Sequence, residues 1–445
     1  MTAVELGRAL RSGEVSAVEL AESALDRIRE LNPTLNAFAL VDEAGARAAA
    51  RVADEQLAAG VDLGPLHGIP VAVKDLIDVA GLPTSCGSAT SFGGVADADA
   101  EVVRRLRSAG AVIVGKTTLH EFAYGVTGDR SVHGASRNPV DLSRMSGGSS
   151  GGSAVAVAAG MVPVALGTDT AGSVRVPAAL CGVVGYKPAY DVVPTAGVYP
   201  LAPSLDHVGL FAATSEDALI GYHAISGRQV RSSSGKPVPV GWIPPSAIAV
   251  TDPRIEKLAR RQLAGFVVEV VRGFPKWDRS VFEEFSVLQG REAFRVHEHH
   301  LRAEQDLIDP EVLARLRTGG EVTDRRYASA DEARHELAVM VDELLTTYDV
   351  LALPTVPIVA PTVGARRVSV EGAELEVRQA LLSLTCLWNM TGSPAISVPV
   401  GRVDGLPVAV QLVTAPGQEH LLFAAARELE IVNNRTKELY AVDPD

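Results

Sequence analysis

Two neighbouring stretches decide how this chain folds: Gly147-Gly148-Ser149-Ser150-Gly151-Gly152-Ser153 and, soon after it, Gly167-Thr168-Asp169-Thr170-Ala171-Gly172-Ser173-Val174-Arg175. A lone lysine lies upstream in Val71-Ala72-Val73-Lys74-Asp75. Two glycine-flanked serines and a lysine can supply a nucleophile, a proton relay and a base for acyl transfer. The pattern therefore predicts an enzyme that needs no histidine for its chemistry.

The first stretch, taken alone, has the composition of a flexible linker. It leads directly, however, into Ala154-Val155-Ala156-Val157-Ala158-Ala159, an apolar run that predicts a buried helix. A linker would not normally enter a core without polar spacing. We therefore interpret residues 147–153 as a catalytic loop.

Lys74 can act as a base only if its amine is neutral. A free lysine titrates near ~10.4, and burial lowers that pKa because it disfavours the charged form. The preceding residues, Ile69-Pro70-Val71-Ala72-Val73, form a short apolar run that predicts a strand ending at the lysine. The sequence thus places the amine at the inner end of a buried strand.

The second stretch predicts an oxyanion hole. The backbone N–H groups of Thr170, Ala171, Gly172 and Ser173 can turn toward one point and stabilise a tetrahedral intermediate. Gly172 allows this because a residue without Cβ tolerates unusual backbone angles and close approach of substrate. In this interpretation Ser173 is the nucleophile, and Ser149 lies between Ser173 and Lys74 and passes the proton.

With these residues the chain resembles the amidase signature family, the Ser-cisSer-Lys amide hydrolases that include bacterial indoleacetamide hydrolase-type enzymes. The resemblance begins near residues 11–16 and extends over most of the chain. Its further blocks are His67-Gly68-Ile69-Pro70-Val71-Ala72-Val73-Lys74-Asp75, residues 115–125, Arg137-Asn138-Pro139, residues 181–188 and Gly392-Ser393-Pro394-Ala395-Ile396-Ser397-Val398-Pro399.

The resemblance implies roles for individual residues. Lys74 matches the family's base, Ser149 the serine that follows a cis peptide bond, and Ser173 the nucleophile, 24 residues after Ser149. Two positions depart from the pattern: Ala171 stands where glycine is frequent, and Ser146 where a proline often precedes Gly147. Neither departure removes a catalytic atom.

The resemblance also implies an α/β fold with a single large mixed β-sheet of about eleven strands, covered by helices on both faces. Residues 1–445 then form one amidase domain. Within it we predict N-terminal helices over 1–60, a catalytic core over 61–212, a variable and largely helical region over 213–346, and a C-terminal return to the core over 347–445.

The composition of the chain restricts the kinds of molecule that the protein is expected to bind. The chain has 445 residues, of which 47% are hydrophobic, and a net charge of −13, which argues against nucleic acid as a partner. It shows no basic, apolar leader and no apolar segment long enough to span a bilayer, so a cytoplasmic location is expected. A small-molecule amide is the expected partner, no cofactor or metal is expected, and a homodimer is left open.

Three other motifs point elsewhere. Gly110-Ala111-Val112-Ile113-Val114-Gly115-Lys116-Thr117 fits the phosphate-loop pattern, but its four central residues favour a core strand over a phosphate-binding turn. The imidazoles of residues 297–300 lack a companion ligand block, so a solvated or capping role on a helix over about 282–305 is expected instead of metal binding. The three cysteines are widely spaced and are predicted to be buried small side chains.

The sequence leaves three functions open: hydrolysis of a small soluble amide, glutamine hydrolysis as the glutaminase component (the A subunit) of a tRNA-dependent amidotransferase, and a binding protein that has lost catalysis. The amidotransferase component usually carries a segment resembling Ser-Asn-Leu-Ala-Arg-Tyr-Asp-Gly-Val, and residues 288–294 here read differently. All three catalytic positions are present, which disfavours the binding protein. Tyr124, Met145 and Trp388 are candidates for the acyl pocket, with core packing equally open for each.

Overall fold

A computed structural model describes residues 2–90, 94–230, 238–271 and 280–440 of the chain, with side chains up to Asn433. The loop predicted over 231–237 lies outside the described residues. Within the described residues the chain forms one large mixed sheet and a separate small hairpin, with helices packed around the sheet. The predicted α/β class and the sheet of about eleven strands are confirmed.

The large sheet has the strand order β1-β3-β2-β4-β6-β5-β12-β13-β9-β7-β8, and β10 pairs only with β11. Strand β2 is parallel to both β3 and β4, whereas β4 pairs antiparallel with β6, so the sheet is mixed. The strands are β1 (Phe38–Val41), β2 (Pro70–Lys74), β3 (Val112–Thr117), β4 (Val164–Asp169), β5 (Val184–Lys187), β6 (His207–Ala212), β7 (Val240–Trp242), β8 (Val268–Val270), β9 (Val350–Pro354), β10 (Arg367–Val370), β11 (Ala373–Glu376), β12 (Ala395–Val403) and β13 (Leu406–Val413).

The helices lie before, between and after these strands. They are α1 (Ala3–Ser12), α2 (Ala17–Leu35), α3 (Glu43–Ala58), α4 (Glu101–Ser108), α5 (Gly151–Ala158), α6 (Arg175–Cys181), α7 (Ser215–Ser226), α8 (Pro253–Gln262), α9 (Val281–Ala303), α10 (Pro310–Glu321), α11 (Asp324–Thr347), α12 (Val377–Leu382), α13 (Leu387–Met390) and α14 (Glu419–Tyr440). Helices α9, α10 and all but the last residue of α11 lie within the region over 213–346 that was predicted to be largely helical, and this region also contains the strands β7 and β8.

The first two helices, α1 and α2, begin directly after residues whose side chains cap them. Thr2 and Ser16 each accept a hydrogen bond from the backbone of a glutamate three residues later, and that glutamate bonds back, so both helices start with a capping box. The helices predicted over residues 1–60 are present as α1, α2 and α3, and the strand β1 between α2 and α3 was not predicted. Strand β1 pairs antiparallel with β3 and covers an edge of the sheet that would otherwise be open.

The centre of the sheet positions the predicted catalytic residues. Every residue of β2, β3 and β4 is buried, which agrees with the run of apolar residues expected in parallel strands covered on both faces. The phosphate-loop pattern over 110–117 therefore falls on a core strand, as predicted. Strands β2 and β4 are adjacent and parallel, so their last residues, Lys74 and Asp169, lie at the same end of the strands.

Candidate active site

Lys74 is the last residue of β2 and is fully buried. Its Nζ donates hydrogen bonds to Ser149 Oγ at 2.7 Å and to Thr168 Oγ1 at 2.8 Å. Burial lowers the pKa of Lys74 to about 7, and the negative charges of Asp206 and Asp169 oppose this shift. A substantial fraction of the amine is therefore neutral near pH 7 and able to accept a proton.

The loop before α5 holds Ser149 against this amine. The peptide bond between Gly148 and Ser149 is cis, and Gly147 has a φ of +77°, a conformation that favours glycine. A Cβ atom on Gly148 would lie 2.8 Å from the backbone nitrogen of Gly128, so the loop packs too closely for a side chain there. The Ser149 carbonyl accepts from the backbone N–H of His120 at 3.0 Å.

The oxyanion loop over 170–173 offers unused donors. No backbone N–H of Thr170, Ala171, Gly172 or Ser173 has a hydrogen-bond acceptor among the residues that the structure describes. Buried N–H groups are almost always paired, so four consecutive unpaired ones next to a buried serine are unusual. This is the arrangement that an incoming carbonyl oxygen requires.

Gly172 and Ala171 have different roles in this loop. Gly172 has a φ of +136°, and a Cβ there would overlap Thr385 Oγ1. Ala171 is not among the residues with positive φ, so alanine replaces the family's frequent glycine without backbone strain. The Thr385 hydroxyl also donates to the Ala171 carbonyl at 2.6 Å, which anchors the loop.

Ser173 lies just before α6 and is 6% exposed. Its carbonyl accepts from the backbone N–H of Ser150 at 3.3 Å, so a hydrogen bond joins the two serine loops. The Ser150 hydroxyl also donates to the Thr168 carbonyl at 3.1 Å. The structure thus brings the loops of Lys74, Ser149 and Ser173 to one edge of the sheet.

A buried ion pair between Asp169 and Arg175 flanks the oxyanion loop over 170–173. Arg175 Nη2 donates to Asp169 Oδ1 at 2.8 Å, and both side chains are fully buried. The carboxylate also accepts from the backbone N–H groups of Val174 and Arg175, and Asn389 Nδ2 donates to its Oδ1 at 2.9 Å. Burial alone would raise the pKa of Asp169, but the Arg175 charge, the hydrogen bonds from Arg175 and Asn389, and the Lys187 charge together hold it well below its usual value. The sequence motif contains both residues but does not reveal this role.

A cavity of about 70 Å³ adjoins the catalytic groups. Thr168, which contacts Lys74, and Thr170, from the oxyanion loop, both line it. Asp206 and His207 also line the cavity, because β6 pairs with β4 and places His207 opposite Asp169. Neither Asp206 nor His207 was predicted to belong to the site, and their position at the start of the apolar strand β6 was the available signal.

The three residues proposed for the acyl pocket lie elsewhere in the core. Met145 and Trp388 are both fully buried, and the Trp388 indole N–H donates to the Leu384 carbonyl at 3.1 Å. Tyr124 is 4% exposed, and its carbonyl accepts from Arg315 Nη1 at 2.7 Å. None of the three lines the cavity beside Thr168 and Thr170. Their part in substrate binding stays a prediction.

The structure also locates the cysteines and the histidines of residues 297–300. Cys86, Cys181 and Cys386 are free and buried, as predicted. The solvated role expected for residues 297–300 is wrong for His297, which is fully buried and packs on Phe122 with ring centroids 4.2 Å apart. Within the described residues no group of histidine, cysteine or carboxylate side chains could hold a metal ion, and no helix is long and apolar enough to cross a membrane.

Comparison with known proteins identifies the family. The family described as Amidase matches residues 19–281 and 277–423, which together make up most of the chain. The chain belongs to this amidase family, whose members are hydrolases that act on amides.

Individual relatives agree with this assignment. The chain is 36% identical to the A subunit of the glutamyl-tRNA(Gln) amidotransferase of Symbiobacterium thermophilum, with 94% of this chain and 93% of the relative covered. It is 35% identical to AtzE, a subunit of the 1-carboxybiuret hydrolase of a Pseudomonas species, with 97% and 98% covered. A crystal structure described as an amidase superposes with a TM-score of 0.91 at 36% identity, covering 97% of this chain and 99% of the other.

Proposed function

We propose that the protein hydrolyses the C–N bond of a small amide through an acyl-enzyme on Ser173. The observation that carries this proposal is the contact of Lys74 Nζ with Ser149 Oγ at 2.7 Å, together with burial that lowers the pKa of Lys74 to about 7. A surface lysine would stay protonated at that pH and could not serve as a base.

The proposed reaction begins with proton transfer. As Ser173 Oγ bonds to the carbonyl carbon, its proton passes to Ser149 Oγ, and the proton of Ser149 passes to Lys74 Nζ. The carbonyl oxygen, now negatively charged, is stabilised by the unpaired N–H groups of residues 170–173.

Collapse of the tetrahedral intermediate breaks the C–N bond. The proton held by Lys74 returns through Ser149 to the leaving nitrogen, so the amine departs neutral. A water molecule then attacks the acyl-enzyme, gives its proton to the same relay, and releases the carboxylic acid and Ser173. The same oxyanion stabilisation also supports cleavage of esters and carbamates.

The test is product detection by mass spectrometry with a panel of primary amides, anilides, carbamates and esters. The protein and a Ser173→Ala variant of unchanged melting temperature are compared on each compound. Cleavage by the unaltered protein alone supports the proposal and ranks the substrate classes. Equal cleavage by Ser173→Ala, or no cleavage of any compound, would contradict it.

A second candidate function follows from the relatives. Both curated relatives are named as components of larger enzymes, and one of these enzymes is a glutamyl-tRNA(Gln) amidotransferase. Glutamine hydrolysis therefore belongs in the panel. Ammonia release from glutamine that appears only after a partner protein is added would favour this function over an independent amidase.

The organisation of the chain is part of the proposal. We propose that residues 1–445 form a single amidase domain, because the eleven strands of the large sheet come from residues 38 to 413 and only the hairpin β10-β11 within that range is separate. The homodimer and the cytoplasmic location also remain proposals, and the size of the protein in solution, measured by light scattering, tests the first of them.

A further inference from the structure

The cavity beside the oxyanion loop has an unusual balance of charge. Among the described residues that line it, Asp206 carries a carboxylate and none is lysine or arginine. Asp206 accepts hydrogen bonds from Thr170 Oγ1 at 2.7 Å and from the backbone N–H groups of Leu201 and Ala202 at 2.9 and 3.0 Å. Burial raises the pKa of Asp206 to about 6, so the group is mostly ionised above neutral pH.

The hydrogen bonds of His207 determine which ring nitrogen carries the proton. His207 Nδ1 lies 2.7 Å from the Leu205 carbonyl oxygen and 3.2 Å from the Asp169 carbonyl oxygen. Both partners can only accept, so Nδ1 must bear the hydrogen. Burial holds the pKa of His207 well below its usual value, so the ring is neutral and Nε2 keeps a lone pair.

This lone pair has no partner within the described part of the chain. His207 is 4% exposed, and its Nε2 is buried without a hydrogen bond. Asn389 Nδ2, 3.4 Å from Nδ1, already donates to the Asp169 backbone carbonyl and carboxylate at 2.8 and 2.9 Å. Buried acceptors are usually satisfied, so an unused one on a residue that lines a cavity at the active site indicates a missing donor.

Lys187 and Arg175, the basic residues whose charges act on His207, are engaged in other hydrogen bonds. The Arg175 guanidinium pairs with Asp169 and also donates from Nη1 to Gln411 Oε1 at 2.6 Å. Lys187 Nζ donates to the Pro188 carbonyl at 2.9 Å. Lys74, on whose amine the Asp206 charge acts, has a pKa of about 7 and is mostly neutral above that pH. Above pH 7 a carboxylate bound in the cavity would therefore face Asp206 without a free cation to balance it. A group that donates hydrogen bonds would meet two acceptors.

We propose that Asp206 and His207 Nε2 form an acceptor wall that selects amides carrying a second nitrogen donor, an ammonium or N–H group, a few bonds from the scissile carbonyl. This inference rests on the proposed function only in taking the cavity as the substrate site. The wall discriminates against amides that carry a carboxylate at the same position.

The experiment compares three primary amides of equal length: 4-aminobutanamide, pentanamide and succinamate. Their dissociation constants are measured by ligand-observed NMR titration at pH 8, where Asp206 and the ammonium group are both charged. The protein used is Ser173→Ala, so that no ligand is consumed and binding is measured even if hydrolysis fails. Hydrolysis of the same amides by the unaltered protein is followed separately through ammonia release, which tests the proposed function.

We expect 4-aminobutanamide to bind at least tenfold more tightly than succinamate, with pentanamide between them. In a Ser173→Ala/His207→Asn variant this ratio should fall at least threefold, because asparagine can still donate to the Leu205 carbonyl but lacks an acceptor at the Nε2 position. In Ser173→Ala/His207→Gln, whose amide reaches that position, the ratio should be largely kept.

Three results would overturn the inference. One is equal or tighter binding of succinamate, and another is no detectable binding of any of the three amides. The third is an equal ratio in the His207→Asn and His207→Gln proteins when both retain the parent melting temperature. If the binding order is as expected but the unaltered protein releases no ammonia, the acceptor wall stands and the proposed hydrolysis fails.

Discussion

Lys74 Nζ contacts Ser149 Oγ at 2.7 Å from within a site where the lysine side chain has no exposed surface. The only other hydrogen-bond partner described for this amine is the hydroxyl of Thr168, at 2.8 Å. Both partners are neutral hydroxyl groups that can either accept or donate. The amine can therefore lose and regain a proton without breaking a direct ion pair.

The first prediction concerns pH. Because only neutral Lys74 can accept the proton, kcat/KM should rise with pH through an apparent pKa of about 7 and level off above it. Lys74→Ala should lower kcat by about 10²–10⁴-fold, the usual contribution of a general base. Rates measured from pH 5 to 10 check this, and activity independent of pH over that range would contradict it.

The second prediction concerns stability. The pKa of Lys74 is about 7 when folded and ~10.4 in an unfolded chain, so between these values only the unfolded state binds the proton. Lys74 therefore costs stability at and below pH 7, by roughly 4 kcal/mol, and the cost disappears as pH rises toward 10.

Lys74→Met removes this cost. Its free energy of unfolding, measured by urea denaturation and compared with that of the unaltered protein, should show the greatest relative gain near pH 6 and a shrinking gain up to pH 10. A difference between the two proteins that does not vary with pH would show that Lys74 is protonated in the folded state.

The third prediction concerns the ion pair beneath the oxyanion loop. Asp169→Ala leaves the buried Arg175 charge without its partner and should reduce the free energy of unfolding by about 3–5 kcal/mol. Glu101→Ala, which breaks partly exposed pairs with Arg104 and Arg105, is the matched control and should have a far smaller effect. Equal losses in chemical denaturation would mean that the Asp169 pair contributes no more than a surface pair.

The fourth prediction concerns Gly172. A methyl group there would overlap Thr385 Oγ1 and strain a φ of +136°, so Gly172→Ala should lower kcat at least tenfold by displacing the N–H groups of residues 170–173. Gly160→Ala also introduces alanine at a positive φ but meets no atom within 4 Å, so it controls for backbone strain. If both variants lose the same small amount of activity in steady-state assays, the oxyanion loop is not where we place it.

The sequence predicted the parts of the fold that depend on local pattern. The apolar run ending at Lys74 indicated a buried strand, and the resemblance to the amidase signature family implied that the two serine loops act together. Strand β1 could not be predicted, because four residues between two helices carry little signal and their pairing with β3 is set by tertiary contacts.

The substrate cavity was the least predictable part of the site. Asp206 and His207 reach it only because β6 returns antiparallel beside β4, and no local pattern reveals that pairing. Met145 and Trp388 were predicted as candidates for the acyl pocket, yet both are fully buried and neither lines this cavity. Which side of a strand faces a substrate depends on the partner strands.

The central claim is a covalent acyl intermediate on Ser173. We would mix the protein with an activated ester, quench within milliseconds to seconds, and measure the intact mass followed by peptide mapping. The account predicts a mass increase equal to the acyl group, located on Ser173, absent in Ser173→Ala and accumulating more slowly in Lys74→Ala. An acyl group on Ser149 or on a cysteine, or an equal mass increase in Ser173→Ala, would contradict it.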